Sequence, residues 1–245
     1  MRSFDWEMPE ERNRVLADHV SDLCLCSTPT AVANLENEGL GRRARLVGDV
    51  MADVSLAMAP VAERDSDALV RLRLHEGEYL LLTVHRAGNV DREGPLADLI
   101  ELLRRLETPT VFPVHPRTRA ALDRAGALPE LESLVHVMLV PPLGYLDFMS
   151  LLLNARAVLT DSGGVQKEAY LARVPCLTLR DTTEWTETVD LGWNRLVGLE
   201  PDGVLAGLEA LERPSEHPEL YGGGRAGKAI VTELEQFAHR AGRAA

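Results

Sequence analysis

Little in this chain would staple, anchor or spread it. Three cysteines, Cys24, Cys26 and Cys176, stand among 245 residues, and their spacing fits no metal site. Cys24 and Cys26 flank Leu25 in an apolar run. Buried free thiols in a reducing, cytoplasmic setting are expected. No apolar run reaches the roughly 18–20 residues that a membrane-spanning helix needs, so no membrane partner is expected. The opening MRSFDWEMPEE has no apolar stretch of the kind a secretory leader carries. Positive charge is scarce too: 26 Lys and Arg face 38 Asp and Glu, for a net charge of −12. That balance argues against nucleic acid as a partner. Any anionic ligand must be held by local donors and not by a general field. There is no internal repeat, no low-complexity tract, no Walker loop and no G-x-G-x-x-G.

What is present is material for a core. Hydrophobic residues make up 45% and charged residues 26%, in the range of folded globular chains. Short apolar runs alternate with helical patterns. Strands are expected at 23–27, 45–48, 79–84, 110–114, 135–140, 157–160, 176–179 and 195–197. Pro9-Glu10-Glu11 reads as a helix start, with proline in the first turn and acids at the positive end of the dipole. Val15, Leu16, His19 and Val20 share one side of that helix. Thr28-Pro29 opens a second helix, which ends near Gly39. A boundary is expected near residues 55–65, where Glu63-Arg64-Asp65-Ser66-Asp67 opens a new helix running to about His75. Further helices are expected at 94–106, 116–125, 145–154, 164–172 and 202–211. Tyr221-Gly222-Gly223-Gly224-Arg225 reads as a hinge, and an amphipathic helix carrying Ala229, Ile230, Leu234 and Phe237 follows it. Alternation of this kind means parallel strands joined by crossover helices, an α/β architecture.

Such sheets bind ligands beyond the carboxyl ends of their strands. The polar clusters fall there. They are His85-Arg86, His115-Pro116-Arg117, Pro141-Pro142-Leu143-Gly144-Tyr145, Ser162-Gly163-Gly164 and Arg180-Asp181-Thr182-Thr183-Glu184. The most informative stretch is Val158–Glu187. A strand stops at Asp161-Ser162-Gly163-Gly164 and a helix begins at once, with Val165, Ala169, Leu171 and Ala172 apolar and Gln166, Lys167 and Glu168 polar. Two glycines there let another molecule approach the backbone. The helix offers unpaired N–H groups and its positive end to a phosphate. Glu168, one turn in, suits a vicinal diol such as a ribose. The same residues also suit an ordinary strand-to-helix turn packed closely, and the local pattern leaves both readings open.

Longer motifs go further. Arg2-Ser3-Phe4-Asp5, Met8-Pro9-Glu10-Glu11-Arg12-Asn13-Arg14, Val47-Gly48-Asp49-Val50, Thr83-Val84-His85-Arg86 and Pro113-Val114-His115-Pro116-Arg117-Thr118 occur in that order. Pro142-Leu143-Gly144-Tyr145-Leu146-Asp147-Phe148, Thr160-Asp161-Ser162-Gly163-Gly164-Val165-Gln166-Lys167-Glu168 and Arg180-Asp181-Thr182-Thr183-Glu184 follow. With them the chain resembles the non-hydrolysing UDP-N-acetylglucosamine 2-epimerases over nearly its whole length. The resemblance implies a GT-B-like fold: a complete C-terminal Rossmann-like domain at 56–222, a partial N-terminal one at 1–55, and a C-terminal helix at 223–245 returning toward the N-terminal part. It implies interconversion of UDP-GlcNAc and UDP-ManNAc by elimination and re-addition of UDP, with no cofactor and no metal. Glu10 and His85 match the family's catalytic residues. Ser162, Gly163, Gly164, Glu168, Arg180, Tyr145, Arg2 and His115 match or adjoin positions that hold UDP. The complete enzyme is expected to be a homodimer.

Two departures stand out. Met1 falls where the family continues from a His-x-Glu-Ala-Gly-Leu run, so a truncated member is expected. Gly88 replaces a glutamate that usually follows His-Arg-x. The alternatives are a UDP-binding remnant without turnover, or a GT-B glycosyltransferase.

Overall fold

The computed structural model describes residues 1–6 and 8–241. The chain divides into two compact units: Met1–Ala57 together with the stretch from Pro218 onward, and Met58–His217.

The first unit starts with α1 (Pro9–Val20), β1 (Cys24–Cys26), α2 (Pro29–Asn37) and β2 (Ala44–Leu46). Thr28 caps α2, its side chain accepting from Ala31 N at 3.2 Å. β1 and β2 pair in parallel, with Cys24 opposite Ala44 and Cys26 opposite Leu46. Cys24, Cys26, Ala31, Leu35 and Ala44 form a small core. All three cysteines are free and buried, and burial pushes the Cys176 thiol up to about 12. The apolar side expected on α1 does not enter a core among the described residues: Leu16 and Val20 are 65% and 82% exposed. Only Glu11 of α1 is buried, because the helix is fastened through its first turn.

α3 (Val50–Asp65), with Pro60 inside it, runs continuously through residues 55–65, where a boundary is expected, and the division between the two units falls within it, at Ala57 and Met58. Ala52, Ala57, Ala59 and Ala62 are strong helix formers, and they outweigh the one proline. The polar cluster at 63–67 ends that helix and opens the next: Asp67 is the N-cap residue of the helix that follows, and Ser66 Oγ accepts from Ala68 N at 3.2 Å. The helix after it, α4 (Ala68–Leu72), is shorter than expected because Arg73 turns left-handed at φ 54°.

The second unit continues with β3 (Leu80–Thr83), α5 (Ala87–Val90), α6 (Glu93–Arg105), β4 (Thr110–Pro113), α7 (Pro116–Arg124), α8 (Leu128–Ser133), β5 (Val137–Val140) and α9 (Tyr145–Leu153). It ends with β6 (Ala157–Thr160), α10 (Gly163–Leu171), β7 (Cys176–Thr178), α11 (Thr186–Asp190), β8 (Asn194–Leu196) and α12 (Pro201–Glu209). The six strands are all parallel, in the order β5-β4-β3-β6-β7-β8. Alternation along β3 sends Leu80 and Leu82 into one core cluster and Leu81 into another, so the strand is buried on both faces. The chain builds outward from β3 to β5, then crosses back to β6 and builds the other way. Between β3 and β6 the strand order reverses, which is where sheets of this type open a crevice.

α13 (Ala226–Ala241) belongs to the first unit. Asp53 caps it, accepting from Ala226 N at 3.0 Å and Gly227 N at 2.8 Å. The residues read as a hinge form a fixed turn. Asp49 N donates to Tyr221 O at 2.9 Å, and a Cβ on Gly48 would lie 2.6 Å from that oxygen. The glycines permit that backbone crossing.

Unequal protection follows from unequal burial. Amide exchange should be fast in β1 and β2, a sheet of two three-residue strands, and slow in β3 and β6. Equal protection, read by exchange mass spectrometry, would show that the small sheet has support beyond its own core.

Candidate functional site

At the end of the two central strands the register is locked. Leu80 to Thr83 lie opposite Ala157 to Thr160, and the hydroxyls of Thr83 and Thr160 meet at 2.6 Å. The next residue of each segment turns out of the sheet. Ser162 N donates to Thr160 Oγ1 at 2.9 Å, and Ser162 then caps α10. The first amides of α10 have no acceptor further back in the helix and point toward the crevice end of the sheet.

Asp161 lies between these two strand ends and is fully buried. Its carboxylate accepts from His85 N at 3.0 Å, Arg86 N at 2.8 Å and Asn89 Nδ2 at 3.1 Å. These bonds tie the loop after β3 to the start of α10. The His85 side chain stays 40% exposed. Its ring lies 5.4 Å, centroid to centroid, from that of His115, which caps α7 and accepts from Arg117 N at 3.2 Å.

The face of α10 that reads as polar is buried. Gln166, Lys167 and Glu168 are all nearly covered, whereas Leu171 is only half-buried. They are covered because the loop after β7 folds over them. Thr183 donates to Gln166 Oε1 at 2.5 Å and Asn194 Nδ2 to the same oxygen at 3.1 Å. Thr178 donates to Asn194 Oδ1 at 2.7 Å. Lys167 Nζ lies 4.3 Å from the centre of the Trp185 ring, a cation–π contact. Arg180 pairs with Glu184 at 3.0 Å, both side chains almost wholly buried. Arg180 is therefore no solvated loop charge, and its guanidinium already faces a carboxylate. A Cβ on Gly163 would lie 3.3 Å from Trp185 Nε1 and 3.5 Å from Glu184 Oε2. The small residue at 163 thus serves the packing of this loop.

Glu168 accepts a hydrogen bond from the Tyr145 phenol. Burial raises the Glu168 carboxyl above the usual carboxylate range and outweighs the opposing effects of Tyr145 and Lys167. Gly88 sits exposed, and a Cβ there would meet nothing within 4 Å. The glutamate's absence therefore leaves no packing defect beside His85.

The second unit thus brings His85, His115, Tyr145, Ser162, Gly163, Gly164, Glu168 and Arg180 to the carboxyl edge of one sheet. Glu10 and Arg2 belong to the first unit. Glu10 is exposed in the first turn of α1. Arg2 is buried and committed to two carboxylates, Asp18 at 2.7 Å and Glu38 at 2.6 Å. Those partners raise its pKa still further. Beside Glu10, the buried Glu11 accepts from Ser3 N and Phe4 N, each at 3.1 Å, and pairs with Arg14 at 2.6 Å. Burial alone would raise its pKa, but these donors hold it below the usual range. No group of three or more His, Cys, Asp or Glu among the described residues could hold a metal ion. No helix among them is long and apolar enough to cross a membrane. Sequence reasoning missed Asp161, Lys167, Gln166 and Trp185. The signal for Gln166 and Lys167 was three consecutive polar residues on a helix that packs inside an α/β sheet; Asp161 lies in the loop before that helix and Trp185 in the loop after β7.

Residues 1–235 match the protein family described as UDP-N-acetylglucosamine 2-epimerase. The chain belongs to that family. It is 42% identical to a UDP-N-acetylglucosamine 2-epimerase homolog of Methanococcus maripaludis over 97% of this chain and 67% of that protein. It is 41% identical to a UDP-2,3-diacetamido-2,3-dideoxy-D-glucuronate 2-epimerase of Pseudomonas aeruginosa, over 97% of this chain and 66% of that one. Among solved structures it superposes on the Methanocaldococcus jannaschii UDP-GlcNAc 2-epimerase, in complex with UDP-GlcNAc and UDP, with a TM-score of 0.87 and 37% identity. That match covers 96% of this chain and 67% of the other. The chain thus spans about two thirds of the length of the curated relatives it matches. The solved neighbours are GT-B-like enzymes, so the expected α/β fold class holds for this epimerase family member.

Because the folded pKa of Glu168 is raised, its proton stabilises the protein at acid pH, and that stability is lost as pH rises through the raised value. Glu168→Gln should therefore melt above the wild type at neutral pH, with the gap closing toward pH 4. The same substitution should weaken UDP binding about 10–100-fold, as expected for loss of a charged hydrogen-bond partner. Calorimetric melts and UDP titration check both halves.

Proposed function

We propose that the protein catalyses the 2-epimerase reaction, interconverting UDP-GlcNAc and UDP-ManNAc. The observation that carries this is the meeting of His85, the α10 N-terminus and Glu168 where the strand order reverses, in a chain 37–42% identical to family members over nearly its whole length. In this reading the diphosphate rests on the amides of Gly163 and Gly164, with the Ser162 side chain and Arg180 beside it. Glu168 grips the ribose hydroxyls, held in place by Tyr145. His85 stands near the diphosphate, with His115 next to it.

A carboxylate, Glu10 by its match to the family, removes the C2 proton as the bond from C1 to the UDP oxygen breaks. A C1=C2 double bond forms, and UDP leaves as an anion stabilised by backbone and cationic donors. Re-addition of UDP with protonation of the opposite face of C2 gives the epimer. No electrons are exchanged with a cofactor. Three buried free thiols fit a cytoplasmic setting for this chemistry.

A second substrate merits testing, because the Pseudomonas aeruginosa relative, named for a diacetamido uronate, is as similar as the N-acetylglucosamine enzymes.

Incubation with UDP-GlcNAc should yield UDP-ManNAc by proton NMR, with deuterium entering at C2 in heavy water. Glu10→Gln should lower turnover about 10²–10⁴-fold, the range for loss of a general base, while leaving UDP affinity intact. UDP binding without turnover on either sugar nucleotide would favour a binding role. Transfer of the sugar to an acceptor, with no epimer, would favour a glycosyltransferase.

A further inference from the structure

Asp161 is not among the residues that the reaction above uses. It has no exposed surface. Burying a carboxylate is costly unless donors surround it. Here they are the His85 and Arg86 amides and the Asn89 side chain, at 2.8 to 3.1 Å. Asn89 also donates to Leu179 O at 3.2 Å, so the same cluster reaches the end of β7. A carboxylate that only closed this loop would need no further partner. Yet Asp161 Oδ1 also lies 3.4 Å from His85 Nδ1.

We propose that Asp161 is a positioning residue that holds His85 with Nδ1–H toward its carboxylate and Nε2 free as an acceptor for a hydroxyl or N–H of the bound sugar nucleotide. The logic is that of any imidazole whose free nitrogen is chosen by the bond the other one makes. The setting is rigid. Asp161 N donates to Thr83 O at 3.3 Å, and the Thr83–Thr160 hydroxyl contact fixes how far apart the two strand ends can lie. The other titratable ring against His85 is His115, whose Nδ1 already accepts from Arg117 N. His115 is thereby kept as a helix cap, and the carboxylate beside His85 is that of Asp161. The length of the Nδ1 contact suits an unliganded site, since such bonds tighten when the ligand arrives. This role rests on His85 being an active-site residue, as the proposed function has it.

The experiment reads the His85 tautomer directly. The full chain, labelled with ¹⁵N-histidine, is examined by long-range proton–nitrogen correlation, and the His85 signals are assigned by their loss in His85→Gln. The expected result is Nδ1–H in the wild type and a shift toward Nε2–H in Asp161→Asn. The same variant should lose about 10–100-fold in kcat, typical of a lost orienting partner, with UDP affinity within about threefold of wild type. Wild-type Nε2–H would overturn the proposal, and so would unchanged kcat in folded Asp161→Asn. If Asp161→Asn does not fold, the wild-type tautomer still decides. If the wild type turns over no substrate, the epimerase reading fails, and the tautomer separately tells whether Asp161 orients His85.

Discussion

The parallel pairing of β3 with β6 is the constraint on which the second unit turns. Four residues of each strand face one another in strict register, from Leu80 opposite Ala157 to Thr83 opposite Thr160. These strands sit where the chain stops building in one direction and starts in the other. Helices that follow strands on opposite sides of such a point diverge, and the space between their starts belongs to neither. The Thr83–Thr160 contact closes the sheet at that edge. One residue later the sheet has ended and the backbone has amides to spend. Those of His85 and Arg86 go to Asp161, while α10 begins with its own still available to a ligand.

Holding that edge open requires polar groups in places where apolar ones would pack better. α10 buries a glutamine, a lysine and a glutamate in succession, and the loop after β7 buries an arginine and a glutamate against them. Most of their polar atoms are matched: the Gln166 oxygen by Thr183 and Asn194, the lysine by the Trp185 ring and the arginine by Glu184, while Gln166 Nε2 is buried without a hydrogen-bond partner among the described residues. Matched polar networks specify one arrangement more strictly than apolar packing does, since a shifted register would leave several groups unpaired. Glu168 is the member whose charged form burial disfavours most plainly. A buried carboxyl held in this way at the edge of a sheet marks a candidate functional group.

Much of this could be read from residues alone, and what could not has physical causes. The strands were legible because short apolar runs such as Ala157–Thr160, buried on both faces, have no other use. The helix starts at Pro29 and Pro116 carried side-chain caps, from Thr28 and His115, and the start at Pro9 carried a first-turn proline and acids. The stretch around residues 55–65 misled only in its continuity, because its alanines carried the helix past Pro60 to Asp65, with the division between the units inside it. The apolar side of α1 misled for another reason: Leu16 and Val20 keep a helical period but find no core among the described residues. Within the candidate site, Ser162 and His85 were legible by their place at strand ends, and Glu168 by its place one turn into the helix that follows. Asp161 was not, because a buried carboxylate announces itself only through the donors around it. Those come from a loop 75 or so residues away in sequence.

The overall charge sharpens the argument about how an anion could be held here. With a net charge of −12, the long-range field of the protein repels a sugar diphosphate. Screening at physiological salt limits that repulsion to about 8 Å, so the contest is decided by groups in contact. Three carboxylates at that edge are already engaged: Asp161 by amides, Glu184 by Arg180 and Glu168 by Tyr145. Each bond that occupies an acid weakens the repulsion that a phosphate would otherwise meet. The helix amides add a positive end that no change in surface charge can titrate away. An acidic protein can thus present a phosphate-binding edge without a cluster of lysines, provided every acid at that edge is spoken for by the fold.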